Sequence, residues 1–207
     1  PSFHPPVTLF KPLKGSDPTT ANCLRSWLTQ QYPGPVQILF AVASIDDPVC
    51  TVVRTLLQEF SAADAQLIVC GPPTGANAKV SKLAQVEPLA KHDLFVISDA
   101  DVFAEKDFLP KVIAEMHDET VGLVNCFYIL ANPTNVPMRL EAIAVNADFW
   151  TQVLQALTLR RMDFALGAVI GTRRSMLKRI GGFEAHLELL ADDYQLGRRV
   201  ASSDQKL

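Results

Sequence analysis

Asp99 and Asp101 stand one residue apart, directly after the apolar run Leu94 to Ser98. Side chains along a strand alternate, so both carboxylates face one way if the extended conformation continues. Two like charges at that range repel. One must take up a proton, or a cation must sit between or beside them. Oxygen donors of this kind suit Mg2+ or Mn2+, above all where a diphosphate completes the shell. The plainer alternative is that the pair caps the following turn.

Two further acidic pairs occur, Asp46-Asp47 before Pro48 and Asp192-Asp193 before Tyr194. Either could cap a helix. Set beside the first pair, a carboxylate of Asp192-Asp193 could instead serve as a general base. Gly75-Ala76-Asn77-Ala78-Lys79 is a glycine-containing loop ahead of a helical pattern. It could bring Lys79 to a phosphate or a base, or leave it as a surface lysine. It is not a GxxxxGK[ST] loop, and no GxGxxG occurs.

These residues need elements to position them. Strands are predicted at Val7 to Phe10 (ended by Lys11-Pro12), Val36 to Ala43, Gln66 to Cys70 and Leu94 to Ser98. Helices are predicted at about Ala21 to Gln31 (capped by Asp17 or Thr19), Val49 to Phe60, Ala78 to Leu89 and Lys106 to Met116, with Pro88 ending the third. This alternation predicts an α/β fold, a mainly parallel sheet with helices on both faces. Ligands of such sheets bind beyond the carboxyl ends of the strands. The loops holding Lys11 to Asp17, Ser44 to Asp47, Gly71 to Lys79 and Asp99 to Asp101 are therefore expected to share one crevice.

After Met116 the rhythm changes. Val121 to Leu130 reads as one long strand, and Met138 to Leu159 as an apolar helix ending at Arg160-Arg161. Such a helix is either core or an interfacial membrane face, with Phe149 and Trp150 as candidates to enter the interface. A helix at Arg174 to Ile180, a turn at Gly181-Gly182-Phe183 and a helix at Tyr194 to Ala201 complete the pattern.

The 207 residues suffice for one large domain or two small ones. A net charge of −3 without a Lys/Arg run argues against nucleic acid as a partner. Cys23, Cys50, Cys70 and Cys126 form no CxxC pair and are expected as reduced core residues. The uncharged stretches Ser26 to Ile45 and Thr120 to Met138 are broken by polar residues and prolines, so neither is expected to span a membrane. Pro1 at one end and an unfinished pattern at the other suggest a fragment of a longer protein.

The run Lys11-Pro12-Leu13-Lys14-Gly15-Ser16-Asp17-Pro18 resembles the opening motif of ceramide glucosyltransferases and their bacterial relatives, including hopanoid-associated glycosyltransferases. The similarity continues through Asp46-Asp47-Pro48, the Gly75 to Lys79 loop and Asp99-Ala100-Asp101. It goes on through Val121-Gly122-Leu123-Val124, Gly181-Gly182 and Ala191-Asp192-Asp193-Tyr194, covering nearly the whole chain. The resemblance implies a GT-A fold, Rossmann-like, in a single catalytic domain over residues 1–207. It implies inverting transfer of a sugar from a UDP-sugar to a lipid hydroxyl, by a membrane-anchored protein whose catalytic domain lies in the cytoplasm.

Site roles follow from the same resemblance. Asp47, Lys14, Asp17 and Lys79 would line the nucleotide pocket. Asp99 and Asp101 would hold Mg2+ or Mn2+ against the diphosphate. Asp193 would be the general base, with Asp192 its nearest rival. The family's (Q/R)xxRW motif does not occur before Leu207. Gln195 and Arg198 have the spacing, but Arg199 stands in place of the tryptophan and they follow Asp193 too closely.

Two other functions remain open at this stage. A strand ending in DxDx[TV] also marks haloacid-dehalogenase-type phosphatases, and Asp99-Ala100-Asp101-Val102 fits in part. Nearly half the chain would then precede the nucleophile, and the opening motif would have no role. A nucleotide-sugar-binding module without turnover is the third reading.

Overall fold

The structure is a computed structural model that describes residues 3–207, so Pro1 lies outside the described residues. Four strands come first: β1 (Val7–Pro12), β2 (Val36–Val42), β3 (Asp64–Val69) and β4 (Leu94–Ser98). Every residue of β1 and of β4 is buried, as expected of central strands covered on both faces. They pair in parallel, joined by α1 (Thr20–Leu28), α2 (Val49–Glu59) and α3 (Ala78–Val86). α4 (Phe108–Glu115) follows, then β5 (Leu123–Asn125) and β6 (Val169–Arg173). The sheet order is β3-β2-β1-β4-β6-β5, with β6 antiparallel to both neighbours.

Alternation along the strands divides the core. Leu9, Phe40 and Val96 face a layer built on α1, α2 and α4, where Trp27, Val53 and Leu109 are buried. Phe10, Ala41, Phe95 and Ile97 face the other layer. It holds α3, α7 (Arg174–Arg179) and α8 (Asp192–Ala201), with Leu83, Leu177 and Leu196. Phe10 meets Phe95 edge to face at 5.0 Å, a geometry worth about 0.5–1.5 kcal/mol beyond its buried area.

Four sequence expectations are corrected. β1 runs two residues further, through Lys11 and Pro12, which pair with Phe40 and Ala41 of β2. Its pairing with β4 stops at Phe10, so Pro12 sits on an open edge, where a missing N–H is tolerated. The long strand at Val121 to Leu130 is only Leu123–Asn125, because its partner β6 begins at Val169, one residue past the Asn125–Ile170 pair. The apolar helix is three pieces, α5 (Val136–Ile143), a π-helical segment Ala144–Phe149 and α6 (Trp150–Leu159). The π segment presents Asn146, whose amide exchanges hydrogen bonds of 2.8 and 3.0 Å with the Leu130 backbone. α8 starts at Asp192, which puts the acidic pair inside its first turn.

The chain between Asn125 and Val169 is an excursion that leaves the sheet and returns beside its own starting point. Trp150 packs there with Val153 and Leu166 in a separate small core. Its indole Nε1 donates to Tyr128 O at 2.7 Å. Trp150 is 8% exposed, so the expectation that it enters a membrane interface is overturned. Phe149, the other interface candidate, is exposed, as are Ile129, Val136, Leu140, Ile143, Leu154 and Leu159 among other apolar residues of this excursion. No helix among the described residues is long and apolar enough to cross a membrane. The four cysteines are free and buried.

α8 rests directly on the segment before β6. A Cβ at Gly197 would lie 2.1 Å from Ala165 N and 2.4 Å from Phe164 C, both backbone atoms that cannot swing aside. Gly197→Ala is therefore expected to cost about 3 kcal/mol or more by overpacking. Urea denaturation of the two proteins measures it, and an unchanged midpoint would mean that α8 is not seated this closely.

Candidate functional site

The parallel strands deliver their carboxyl ends to one edge, and β6, running the other way, delivers its beginning there. Asp99 N–H donates to Ala168 O at 3.0 Å, which ties the segment before β6 to the end of β4. Beyond Ser98 the chain turns, with Val102 N–H donating to Asp99 O at 3.4 Å. The extended conformation therefore stops at Asp99, and the common facing of Asp99 and Asp101 expected from a strand does not follow. Asp99 is half-buried and Asp101 exposed. α1 holds this turn from behind. The Cys23 thiol donates to Asp101 O at 3.3 Å, and Trp27 Nε1 donates to Val102 O at 3.0 Å.

The required cations are present. Lys79 Nζ, from the first turn of α3, lies 2.5 Å from Asp99 Oδ1. Burial disfavours the Lys79 cation, but the Asp99 carboxylate, joined by Asp192 and Asp193, outweighs it and the lysine pKa is raised. Burial also raises Asp99, and the lysine only partly offsets that. The short contact favours the ionised pair at neutral pH. Lys11 is fully buried, with Nζ donating to Ser98 Oγ at 3.0 Å and to the Asp99 carbonyl oxygen. Its ammonium lies 5.2 Å from the centroid of the Trp27 ring. Burial pulls its pKa down to about 7, against the pull of the Asp99 carboxylate.

The other predicted loops are laced to this point. Asp47 accepts from Gly15 N–H with both oxygens, at 3.0 and 3.1 Å, and from Val49 N–H at 3.0 Å. It thus fastens the loop after β1 to the start of α2. Lys82, buried in α3, donates to Leu13 O at 2.7 Å. Asp17 is exposed and starts α1, its Oδ1 accepting from the N–H groups and hydroxyls of Thr19 and Thr20. Those bonds, the Thr19 hydroxyl first, hold its carboxyl below the usual range. Lys14 is exposed at the loop tip.

The acidic pair at Asp192-Asp193 joins through Asn77. The Asn77 Oδ1 caps α3, accepting from Lys79 N–H and Val80 N–H at 3.0 and 3.1 Å. Its Nδ2 donates to Leu189 O at 2.7 Å and to Asp192 Oδ1 at 3.0 Å. One side chain thus pins the first turns of α3 and α8 together. Asp193 accepts from Tyr194 N–H at 2.8 Å and lies against Gly167, where a Cβ would come within 2.5 Å of Asp193 Oδ2. Asn125 fixes that approach, its Oδ1 accepting from Leu166 N–H at 2.9 Å. Neither Asp192 nor Asp193 serves as the N-cap residue, which is Ala191 without a side-chain cap.

The structure thus brings Asp99, Lys79, Asp192 and Asp193 to one place, with Asp47 and Gly15 further along the same edge. Asn77, Lys11 and Gly167 were not singled out by sequence reasoning. Asn77 had a legible signal, an Asn immediately before a helical run. Lys11 had another, a lysine closing an apolar strand.

Among the described residues no three His, Cys, Asp or Glu side chains group at metal-binding range. Asp99 and Asp101 supply two hard oxygen side chains. That is the usual protein share for a Mg2+-like ion, which keeps waters and takes phosphate oxygens for the rest. A cation is already accommodated beside Asp99, as Lys79. The donor chemistry fits a divalent ion held jointly with a diphosphate.

The family described as Glycosyl transferase family 21 matches residues 1–207. Ceramide glucosyltransferase 1 of Caenorhabditis elegans is 27% identical over 209 residues, 96% of this chain and 42% of the relative. Ceramide glucosyltransferase 3 of the same organism is 26% identical, over 99% of this chain and 44% of the relative. The chain thus spans less than half the length of these curated relatives. Among solved structures, the mannosyltransferase PcManGT from Pyrobaculum calidifontis, in complex with GDP-Man and Mn2+, superposes with a TM-score of 0.75. It is 21% identical, over 99% of this chain and 54% of that one. S. aureus TarS superposes at 0.62 with 12% identity, over 94% of this chain and 33% of that one. The fold is shared with these glycosyltransferases.

Proposed function

The chain belongs to glycosyl transferase family 21, and from that premise we propose that it is the catalytic domain of an inverting lipid glycosyltransferase. It moves a sugar from a UDP-sugar to the hydroxyl of a ceramide-like or hopanoid-like acceptor. The observation that carries this reading is the meeting of the Asp99–Lys79 pair with Asp192-Asp193 at the carboxyl edge of the sheet. One set of groups suits a diphosphate and the other a reacting hydroxyl.

Asp47 and Gly15 shape the nucleotide side, with Lys14 and Asp17 on the same loop. Asp99 and Asp101 would hold Mg2+ or Mn2+, which when bound neutralises charge on the departing diphosphate. Lys79 adds a positive charge at the same point. Asp193 takes the proton of the acceptor hydroxyl as its oxygen bonds to the anomeric carbon. The bond from that carbon to the diphosphate breaks, UDP leaves with the electron pair, and the sugar is inverted. The mannosyltransferase that shares this fold was solved with a nucleotide sugar and Mn2+, which supports the donor class.

A lipid acceptor requires the crevice to open toward a membrane. The exposed apolar residues of α5 and α6 suit that contact, and the exposed Arg160 and Arg161 after α6 suit anionic headgroups. Residues 1–207 form one domain of a membrane-associated protein that works on the cytoplasmic side. No observation favours the phosphatase alternative.

Donor binding is tested by thermal unfolding of the full-length protein with UDP in Mn2+ or in chelator. At 100 times its dissociation constant, UDP with Mn2+ stabilises by about 2.7 kcal/mol, roughly 5–10 °C. Equal shifts in chelator would remove the metal role from Asp99 and Asp101. No shift with any sugar nucleotide would refute the donor class. Binding without transfer to any lipid would leave a binding module.

A further inference from the structure

The Asp99 carboxylate already holds a cation of the protein's own. Lys79 Nζ lies 2.5 Å from Asp99 Oδ1, and the two side chains are only 28% and 36% exposed. Water and salt screen a partly buried pair much less than one on the open surface. Lys11, the other cation beneath this turn, engages the Asp99 carbonyl oxygen and not its carboxylate. Among the described residues, Lys79 is the cation paired with that carboxylate.

Lys79 is rooted, but its ammonium is not. The backbone N–H is fixed to Asn77 Oδ1 at the start of α3. The charge stands at the end of a flexible four-carbon stem with three rotatable donors. A change of partner therefore needs side-chain rotation alone, with α3 left in place.

Elementary charge counting makes the pair a barrier to either ligand alone. A divalent ion arriving by itself at Asp99 faces an ammonium on the same carboxylate and must displace it. A diphosphate arriving by itself meets the carboxylates of Asp99 and Asp101. Arriving together, the two resolve the conflict. The ion takes the carboxylate, and phosphate oxygens receive the ammonium.

We infer that Lys79 is a placeholder cation that makes divalent-metal binding at Asp99 conditional on the nucleotide diphosphate. The lysine surrenders the carboxylate when phosphate oxygens receive its ammonium. This inference rests on the donor reading and adds a coupling to it. By linkage, UDP tightens Mn2+ by the same factor by which Mn2+ tightens UDP.

The test measures Mn2+ binding to the full-length protein by electron paramagnetic resonance of the free ion, with and without UDP. Wild type should hold Mn2+ weakly alone and at least about fivefold more tightly with saturating UDP. Lys79→Met keeps most of the stem and removes the charge. It should bind Mn2+ alone about tenfold more tightly than wild type, and UDP in saturating Mn2+ about tenfold more weakly. Lys79→Arg keeps the charge and should bind Mn2+ alone as weakly as wild type. The opposite signs within one variant are the signature, since a lysine that merely supports the site would weaken both ligands when removed.

A second readout needs no charge-removing variant. In the wild type, the Lys79 ammonium 15N NMR signal, assigned by its loss in Lys79→Arg, should stay in place with Mg2+ alone and shift when UDP is added with it. Suppose UDP binding depends on Mn2+, yet Lys79→Met binds Mn2+ alone no more tightly than wild type, or the ammonium signal ignores UDP with Mg2+. The placeholder role is then overturned and the donor reading stands. UDP binding indifferent to Mn2+ in the wild type would overturn both.

Discussion

Asp193→Asn is expected to lower turnover by about 10²–10⁴ while leaving UDP affinity within about twofold. The amide keeps the shape of the carboxylate and still accepts from Tyr194 N–H, so the first turn of α8 survives. It cannot accept the proton of an acceptor hydroxyl. Asp193 lies against Gly167 on the segment that leads into β6, beside the end of β4. Asp192 is committed elsewhere, to Asn77. Asp192→Asn should therefore cost less, through misplacement rather than loss of the base. The check is steady-state kinetics on both variants of the full-length protein, with UDP titrated separately. A dead Asp192→Asn beside a normal Asp193→Asn would move the base by one residue.

Asp99→Asn carries the second large effect. The carboxylate is the partner of Lys79 at 2.5 Å and, in the proposed mechanism, one of two oxygen donors for a divalent ion. Losing it removes the proposed metal ligand and leaves Lys79 largely buried without its counter-charge. Several kcal/mol of transition-state charge stabilisation come from such an ion, so turnover should fall by on the order of 10²–10³. The Mn2+ dependence of UDP binding should vanish with it. This separates Asp99 from Asp193, whose substitution leaves that dependence intact. Calorimetric titration of UDP with and without Mn2+ decides, and a variant that keeps full metal dependence would exclude Asp99 from the ion's shell.

The parallel half of the fold was legible because its signals are local. Leu94 to Ser98 is a short apolar run closed by charged residues, and the strand has those bounds. The helix start predicted at Val49, after Pro48, is where α2 begins, and the one predicted at Ala78 is where α3 begins. The second half obeyed long-range pairing instead. Val121 to Leu130 has strand composition throughout, yet only three residues find a partner, since β6 is short. Trp150 on an apolar helix reads equally as core or as interface, and the choice lay with Phe127, Tyr128 and Phe149 packed around it. Within the site, the carboxylates were visible as pairs. Their partners were not, because Lys11, Asn77 and Gly167 act through contacts between residues far apart in sequence.

The excursion between Asn125 and Val169 begins and ends at neighbouring rungs of one ladder. Its two ends are therefore fixed whatever lies between them. The segment can lengthen, shorten or change sequence while the sheet edge remains as it is, provided the Asn125 clasp on Leu166 and the contacts of Phe164 to Ala168 with α8 and Asp99 are kept. This is the geometry of an exchangeable cassette. On the proposed reading, a change of acceptor is therefore expected to map to residues 126–163, with the nucleotide side left as it is.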